Sequence, residues 1–510
     1  MILSKNTLND LGSAELIVPE QGHFNLPERV LQFGTGVLLR GLPDYFIHKA
    51  NQMGVFNGRI AVVKSTSQGN TNAFTKQDNL YTICVRGVAQ GEQVKENIVS
   101  SAISRVLTAD DDWDRILAIA CSRDLKLIVS NTTEVGIQLV KEAIQTAAPR
   151  SFPAKLLAVL YARFKFFESD TDEGELVVIA TELIPDNGKT LEAIVYELAG
   201  YQGLEAEFMT WLKGQVYFCN SLVDRIVPGK PDSARLNRLE EELGYTDELL
   251  IMAEPYRLWA IEAGQEVADL LGLNGVDEGI LIKPDIEIYR ELKVRLLNGS
   301  HTLTAGIAFL SGIQTVAEAM AEGHLKQYVS TVMHKEIAPA IPYEVAITLS
   351  KNFADTVIDR FSNPFIAHSW INITFQYSMK MKVRVIPVLL NYYKKYHQVP
   401  PHIALGFAAY LVFMRVSRVS ANGQFFGVYQ GKEYQITDDQ AGYFRSKSDL
   451  TAAQYVQEVL GDTSLWDADL GCLTGLAEKV KEQYTLILKS GMQETLRQAF
   501  QPSEKHLQHN

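Results

Sequence analysis

The sequence has few cysteines and lacks long apolar runs. Only four of the 510 residues are cysteine, at positions 84, 121, 219 and 472, and no two of them form a C-x-x-C pair. This spacing argues against a zinc knuckle and a disulfide scaffold, so free thiols in a reducing compartment are expected. No run reaches the roughly 18 apolar residues of a membrane helix, and the first residues contain no apolar signal segment. We therefore expect a cytoplasmic protein.

Positive charge is also in deficit. The chain has 48 Lys and Arg against 60 Asp and Glu, a net charge of −12, which argues against a nucleic-acid-binding protein. Its ten histidines include no H-x-x-x-H or H-x-x-E-H pattern, so no metal site is predicted. The composition, 46% hydrophobic and 21% charged, is ordinary for a globular enzyme. The expected partner is a small molecule, with no nucleic acid and no membrane.

The chain is long enough for two domains. Its first half alternates short apolar runs with helical patterns, which predicts βα units around a largely parallel sheet. The pattern changes at Lys283-Pro284-Asp285, where long helical periodicities begin. We predict an α/β fold with a Rossmann-type, doubly wound N-terminal domain at 1–285 and a mostly α-helical C-terminal domain at 286–510. The candidate strands are 29–33, 59–64, 125–130, 176–180, 216–219 and 249–253.

Helices are predicted at 289–312, 315–328, 342–359 and 401–416, and a helix start at the acidic run ending at Asp112. One segment of the second half differs from this pattern. Residues 424–436, QFFGVYQGKEYQI, read as a β-hairpin that turns at Gln430-Gly431.

A glycine-rich segment follows the first predicted strand. In VLQFGTGVLLRG, residues 30–41, Gly34 permits a tight turn and Gly36 lets the backbone approach a pyrophosphate at a helix N-terminus. Leu39 replaces the third glycine of the dinucleotide-binding motif, so the pattern also fits an ordinary turn. The expected cofactor contacts here are Phe33, Gly34, Thr35, Gly36, Val37, Leu38 and Arg40.

Two later strand ends bear on the same cofactor. Asn131 and Thr132 follow the strand predicted at 125–130, and they suit either a nicotinamide-ribose contact or a helix cap. The segment Val63-Lys64-Ser65-Thr66 ends the second strand without a carboxylate for the adenosine ribose. Lys64 is either a contact that favours NADP or a solvated residue, so the residues alone leave NADH and NADPH open.

The segment KVRLLNGSH places Lys293, Asn298 and His301 on one predicted helix. At about 100° per residue, Asn298 lies roughly 140° and His301 roughly 80° around the helix from Lys293, so all three can face one cleft. A carbonyl reductase needs one group that delivers a proton and neutral donors that hold the oxyanion. The same spacing also fits polar residues on an amphipathic helix, but the surrounding leucines favour burial.

These residues resemble the mannitol dehydrogenase family of long-chain, metal-independent polyol dehydrogenases. The K-x4-N-x2-H set matches that family's catalytic signature, and the resemblance extends from about residue 28 to the C-terminal helices. Further matching segments are QFGTG (32–36), QDNLYT (77–82), Asn187-Gly188, VDRIVP (223–228), EPYRLW (254–259) and RFSNP (360–364).

The resemblance implies an active site between the two domains, with Lys293 as acid/base and Asn298 and His301 as oxyanion donors. It also implies substrate contacts at Asn187, Asp224 and Lys380, and NAD as cofactor. QFGTG and QDNLYT are most similar to members that reduce D-tagaturonate reversibly to D-altronate with NADH in hexuronate breakdown. Leu183 and Asn372 stand where polyol-oxidising members carry Asn and Arg, which agrees with a substrate bearing a carboxylate.

Three alternatives stay open at this point. A fructuronate reductase differs only in substrate configuration, which residue chemistry does not resolve. A mannitol-type polyol dehydrogenase keeps the same catalytic set, and a dinucleotide-binding sensor keeps the fold without turnover. The expected assembly is a monomer or a weak homo-oligomer.

Overall fold

The computed structural model describes residues 1–11, 16–64, 71–133, 135–144, 147–167 and 174–501. The chain forms two compact units. The first contains residues 1–86 and 93–286. The second contains the short segment Gly87–Glu92 and the chain from Glu287 onward. The N-terminal unit is therefore interrupted, whereas the sequence predicts one continuous segment.

A six-stranded, fully parallel sheet forms the centre of the first unit. Numbered along the chain within this sheet, the strands lie in the order 3-2-1-4-5-6, the arrangement of a doubly wound dinucleotide-binding fold. The predicted fold class is confirmed. From one edge to the other the strands are Ile103–Thr108, Arg59–Lys64, Glu28–Phe33, Leu127–Ser130, Leu176–Ala180 and Val216–Cys219.

Helices cover both faces of this sheet because its strands are apolar on both faces. Val30 and Val129 belong to the core on one face, and Leu31 and Ile128 to the core on the other. The α-helices of the unit are Val37–Gly41, Pro43–Gln52, Asn72–Lys76, Trp113–Ala120, Phe152–Phe167, Asn187–Gln202, Ala206–Gln215, Ser233–Leu243 and Gln265–Leu271, with short 3₁₀ turns at Leu8–Asp10 and Gln21–Asn25.

Two smaller sheets complete the first unit. One has four strands in the order Leu16–Ile17, Glu92–Ser100, Tyr81–Ala89 and Ile251–Ala253, and the other has Ser221–Asp224, Leu258–Glu262 and Ile280–Lys283. The strand predicted at 249–253 thus forms only over Ile251–Ala253 and joins a sheet other than the main one.

The second unit is mostly helical. Its α-helices are Glu287–Leu292, Ser300–Leu310, Val316–Ala321, Gly323–Thr331, Ile347–Phe361, Trp370–Ile373, Tyr377–Lys380, Ile386–Tyr396, Pro401–Phe413, Ala441–Ser446, Ala452–Gly461, Thr463–Trp466, Leu476–Ser490 and Met492–Ala499. Three π-helical segments, Lys293–Gly299, Val332–Ile337 and Met381–Val385, are continuous with these helices, and 3₁₀ turns lie at Ala338–Ala340 and Leu470–Cys472.

A close helix crossing supports the predicted catalytic helix. A Cβ added at Gly306 would lie 3.2 Å from the carbonyl oxygen of Ala409, and one at Gly406 would lie 3.1 Å from that of Leu303. These two glycines therefore let Ser300–Leu310 pack directly against the buried helix Pro401–Phe413. The crossing fixes the helix that carries the predicted catalytic set.

The predicted hairpin is confirmed. Phe425–Tyr429 and Lys432–Ile436 pair in antiparallel fashion, and Gln430 and Gly431 both have positive φ, as a tight two-residue turn requires. Val416–Val419 adds a third strand. The helix predicted at 401–416 accordingly ends earlier, at Phe413.

Two other helix predictions are wrong in extent. The helix predicted at 315–328 is interrupted at Glu322, whose extended backbone and side chain cap a second helix from Gly323. The helix predicted at 342–359 begins only at Ile347. The helix start at Asp112 is confirmed by Trp113–Ala120. Within the described residues, no helix has both the length and the apolar character needed to cross a membrane.

Candidate functional site

The glycine-rich turn lies at the carboxyl end of the central strands. Gly34 has φ +129°, a conformation that L side chains rarely adopt. A Cβ there would lie 3.0 Å from the carbonyl oxygen of Asn131 and 2.8 Å from Cδ1 of Leu39. Gly34 is thus required by the close approach of the turn to the neighbouring strand end, and Leu39 fills the space beside it.

The rest of the turn is accessible. Gly36 is exposed, and among the described residues nothing lies within 4 Å of where its Cβ would be. Thr35, Val37 and Leu38 are partly exposed, and the helix begins at Val37. An exposed glycine turn at the point where the strand order reverses fits the pyrophosphate of a dinucleotide.

Arg40 and Phe33 differ from the other predicted cofactor contacts because both are buried. Arg40 donates a hydrogen bond to the carbonyl oxygen of Leu249, and its guanidinium lies 5.4 Å from the ring centroid of Tyr81. Phe33 packs against Phe152 at 5.1 Å. These contacts assign both residues to the interior, and their roles as cofactor contacts stay predictions.

The segment after the fourth strand of the main sheet is held by one buried carboxylate. Glu182 accepts hydrogen bonds from Ser130 Oγ at 3.1 Å, Thr132 N at 2.9 Å and Thr132 Oγ1 at 3.0 Å. Asn131 donates to Thr181 O at 3.0 Å. Glu182 thus fixes the backbone beside the glycine turn, a role that the sequence did not reveal.

Asn187 is also occupied by the protein itself. Its amide nitrogen donates to the carbonyl oxygens of Glu182 and Ser221, both at 3.0 Å, and its amide oxygen accepts from Gly188 N and Ser221 N, both at 2.9 Å. These bonds use the amide to join two loops. Asp224 is buried at the end of Ser221–Asp224. Substrate contacts at Asn187 and Asp224 stay predictions.

One predicted cofactor segment is described only in part. Lys64 ends its strand and is partly exposed, whereas residues 65 and 66 lie outside the described residues. The structure at this position therefore does not distinguish NADH from NADPH.

The predicted catalytic residues Lys293 and Asn298 lie in a π-helical turn rather than a plain α-helix. Lys293–Gly299 forms i→i+5 hydrogen bonds, inside a helix that runs without interruption over residues 287–310. The angle of about 140° expected between Lys293 and Asn298 is therefore wrong. Residues five apart are neighbours in this turn, so it brings Lys293 and Asn298 to the same side. His301 follows at α-helical spacing from Asn298.

Hydroxyl groups just after the turn bind its carbonyl oxygens. Ser300 Oγ donates to Leu296 O and Leu297 O, and Thr302 Oγ1 donates to Asn298 O at 2.7 Å. Serine and threonine bonded to the preceding turn in this way alter regular helix geometry. These two residues are the local sequence feature that accompanies the π turn.

Aromatic rings hold the imidazole of His301. The ring stacks on Phe361 with centroids 3.9 Å apart and planes 10° apart. It meets His368 and Trp370 edge-on, at 5.1 Å and 5.9 Å. Phe361 belongs to the RFSNP segment, so that motif has a physical role beside the catalytic signature.

Burial and nearby cations keep His301 neutral. Burial lowers the pKa of His301 well below 6.5, and His368, Arg360, Arg384 and Lys380 lower it further. Its Nε2 atom is buried and lacks a hydrogen-bond partner among the residues described. A neutral imidazole carries one N–H donor and one acceptor, so this group is suited to bind a substrate oxygen.

Three cationic side chains, Lys380, Lys382 and Arg384, lie on the segment 380–384. Lys380 donates to Ile373 O at 2.9 Å, and burial and Arg384 lower its pKa. Arg384 donates to Thr302 Oγ1 at 3.3 Å. Lys382 forms an ion pair with Asp467 at 2.7 Å. An ammonium has three donors and a guanidinium five, so Lys380 and Arg384 retain donors for a ligand.

The two positions that depart from polyol-oxidising members are both exposed. Leu183 is 61% exposed, and Asn372 lies at the surface of Trp370–Ile373. In the part of the chain that the structure describes, no group of three or more His, Cys, Asp or Glu is arranged to hold a metal ion.

Each of the two units matches a known protein-family model. Residues 28–275 match the family model described as Mannitol dehydrogenase Rossmann domain, and residues 285–488 match Mannitol dehydrogenase C-terminal domain. The chain belongs to the mannitol dehydrogenase family. The resemblance inferred from the motifs is therefore confirmed.

Curated relatives in this family are similar over nearly the whole chain. An altronate oxidoreductase of Halalkalibacterium halodurans is 36% identical, with 92% of this chain and 93% of the relative covered. That of Bacillus subtilis strain 168 is 34% identical, with 92% and 95% covered. We conclude that the chain is an oxidoreductase of the mannitol dehydrogenase family that acts on the CH–OH group of a polyol or sugar acid.

Two solved structures share the fold. A mannitol 2-dehydrogenase of Pseudomonas fluorescens, in a ternary complex with NAD and D-mannitol, is 21% identical with a TM-score of 0.65, and covers 98% of this chain and 99% of its own. A D-sorbitol dehydrogenase in substrate-free form is 18% identical with a TM-score of 0.72, covering 97% and 100%.

Proposed function

We propose that the protein reduces D-tagaturonate to D-altronate with NADH, in a reversible reaction. The similarity to altronate oxidoreductases supports this substrate pair. The dinucleotide-binding fold and the NAD complex of the mannitol 2-dehydrogenase support the cofactor. The exposed turn at Gly34 and Gly36 would hold the pyrophosphate, with Asn131 and Thr132 beside it.

NADH, when bound, supplies the hydride that the keto carbon accepts. Lys293 delivers a proton to the keto oxygen, so the carbonyl becomes a CH–OH group; in the reverse direction Lys293 accepts that proton. Asn298 and His301 donate hydrogen bonds to the oxygen as negative charge develops on it. Because the ring stack holds the imidazole in place, His301 needs little reorganisation during the reaction.

The main observation in favour of a substrate with a carboxylate is the group of cations that lower the pKa of His301. Arg360, Arg384 and Lys380 all lower the pKa of this imidazole, so positive potential acts at His301. Arg384 also lies 3.3 Å from the hydroxyl of Thr302, the residue that follows His301. A neutral ketose gains little from this potential, whereas a uronate carboxylate is stabilised by it. Lys380 and Arg384 have donors available for that carboxylate.

A substrate panel tests this proposal. Purified protein is mixed with NADH and, separately, with tagaturonate, fructuronate and fructose, and the loss of nicotinamide absorbance is followed without added metal. We expect rapid oxidation of NADH with tagaturonate. In Lys380→Met, the KM for tagaturonate should rise by about tenfold or more, because a charged partner of the carboxylate is lost.

The other outcomes of the panel are distinct. Preference for fructuronate keeps the chemistry and corrects the substrate. Preference for fructose overturns the carboxylate assignment. Tight NADH binding without turnover of any of the three overturns the reductase proposal in favour of a sensor. Lys382→Met serves as the matched control, because Lys382 is already paired with Asp467.

A further inference from the structure

Arg295 lies inside the catalytic π turn and is almost completely buried. Its Nε and Nη2 atoms donate to the two carboxylate oxygens of Glu291 at 2.9 Å and 3.0 Å. Its remaining nitrogen, Nη1, donates to the backbone carbonyl oxygens of Val383 and Arg384. One guanidinium therefore binds its own helix and a second segment at the same time.

The second segment is itself a π turn. Met381–Val385 continues the helix Tyr377–Lys380, which carries Lys380, and the side chain of Arg384 lies at 3.3 Å from Thr302. Thr302 in turn donates to the carbonyl oxygen of Asn298. Hydrogen bonds thus join the two π turns on two sides, through Arg295 and through Arg384 and Thr302.

We propose that Arg295 is a positioning residue, which holds the turn of Lys293 and Asn298 at a fixed distance from the cation segment 380–384. This inference rests on the proposed function, because it assigns catalysis to the first turn and carboxylate binding to the second. A substrate bound by its carboxylate to one segment presents its carbonyl to the other. The separation between the two turns then determines how well Lys293 and the carbonyl oxygen meet.

Only arginine provides this arrangement. Its planar fork binds Glu291 with two nitrogens and leaves the third for the carbonyl oxygens, whereas a lysine ammonium is a point donor that cannot span both. Glu291 balances the charge within the buried pair. A lysine at position 295 would retain the charge and lose the Arg295 link, so that only the link through Arg384 and Thr302 would join the turns.

The test compares Arg295→Lys with wild type under saturating NADH. We expect kcat with tagaturonate to fall about 10- to 100-fold, because small misplacements of reacting groups have effects of this size. The Kd for NADH should change less than about twofold. The deuterium isotope effect on kcat, measured with NADH labelled on the transferred hydrogen, should rise or stay at its full value, because the chemical step is slowed.

A merely structural role gives a different result. Loss of folded protein lowers the number of NADH-binding sites but leaves kcat per site as in wild type, and this outcome overturns the proposal. Arg418→Lys is the matched control. Arg418 binds Glu433 with the same two-pronged geometry, both distances 2.8 Å, on the exposed hairpin sheet, and should retain wild-type kcat.

A second variant covers the case in which Arg295→Lys does not fold. Glu291→Gln keeps Arg295 and its carbonyl bonds but removes the charge that orients the fork, so kcat per site should fall by a smaller factor. Wild-type kcat in this folded variant would contradict the proposal. Lys293→Ala distinguishes failure of the proposed function from failure of the positioning role. If Lys293→Ala retains turnover, the proposed catalytic site is wrong. If Lys293→Ala is inactive while Arg295→Lys is fully active, only the positioning role of Arg295 is rejected.

Discussion

Lys293→Ala should lower kcat for tagaturonate reduction by about 10² to 10⁴-fold, the range for loss of a general acid. The Kd for NADH should stay within about twofold of wild type, because the predicted cofactor contacts lie in the other unit. Steady-state kinetics and a fluorescence titration with NADH measure the two quantities separately.

Two companion variants make this result specific. Lys293→Arg keeps the positive charge, but a guanidinium holds its proton too tightly to act as an acid, so kcat should stay low. Asn298→Ala and His301→Ala should each lose about 10² to 10³-fold, as expected for removal of one oxyanion donor. Lys382→Ala, on the second π turn, should retain wild-type kcat. Near-normal turnover in Lys293→Ala would reject the assignment of the acid.

Asp44→Asn should remove a strong pH dependence of stability. Asp44 is completely buried below the glycine turn, where its Oδ2 accepts a hydrogen bond from Gln32 Nε2 at 3.4 Å. Its Oδ1 lacks a partner among the described side chains and backbone groups. Burial raises the pKa of Asp44 from 3.8 to about 8, against the opposing effects of Gln32 and Arg40.

The direction in which stability changes with pH follows from the proton that the folded protein holds on Asp44. Between about pH 4 and 8 the folded protein holds a proton on Asp44 that the unfolded chain has released, so stability is greatest at the acid end and falls as pH rises. The loss is up to about 1.4 kcal/mol of unfolding free energy per pH unit in this window. Asparagine resembles the protonated carboxyl and does not titrate.

Urea unfolding of wild type and Asp44→Asn across this window measures the effect. The variant should be increasingly more stable than wild type as pH approaches 8. Asp111→Asn, at an exposed position, is the control and should follow wild type. Parallel curves for wild type and Asp44→Asn would show that Asp44 is ionised throughout.

The titration of Asp44 should also affect NADH binding. Gln32 Nε2, which donates to Asp44, also donates to Gly34 O in the glycine turn at 3.3 Å.

The central sheet was predictable where its strands are short, apolar and bounded by turns. Arg59–Lys64, Leu176–Ala180 and Val216–Cys219 match their predicted limits. The edge strand Ile103–Thr108 was missed because its sequence, ISRVLT, mixes apolar with polar residues and lacks the short apolar run by which the other strands were recognised. The hairpin at Gln430-Gly431 was predicted because turn residues determine such local geometry.

The helical segment that carries Lys293, Asn298 and His301 was predictable, but its local geometry was not. A helical pattern gives residue spacing, and the usual 3.6 residues per turn placed Asn298 roughly 140° around the helix from Lys293, within reach of one cleft. The π turn brings the two residues closer, to the same side. A sequence pattern also does not give the direction in which a side chain points. Arg40 follows the glycine turn as a cofactor contact would, yet its side chain lies in the core. The partners of His301 come from segments about 60 residues away, which one helix cannot reveal.

The most direct test of the proposed reaction uses NADH deuterated on the transferred hydrogen. Wild-type protein is incubated with this NADH and tagaturonate, and the product is analysed by NMR and mass spectrometry. The proposed reaction predicts D-altronate with a single deuterium on the carbon that was the ketone, formed in equal amount to the NADH consumed. Altronate without deuterium, or NADH oxidation without altronate, would contradict it.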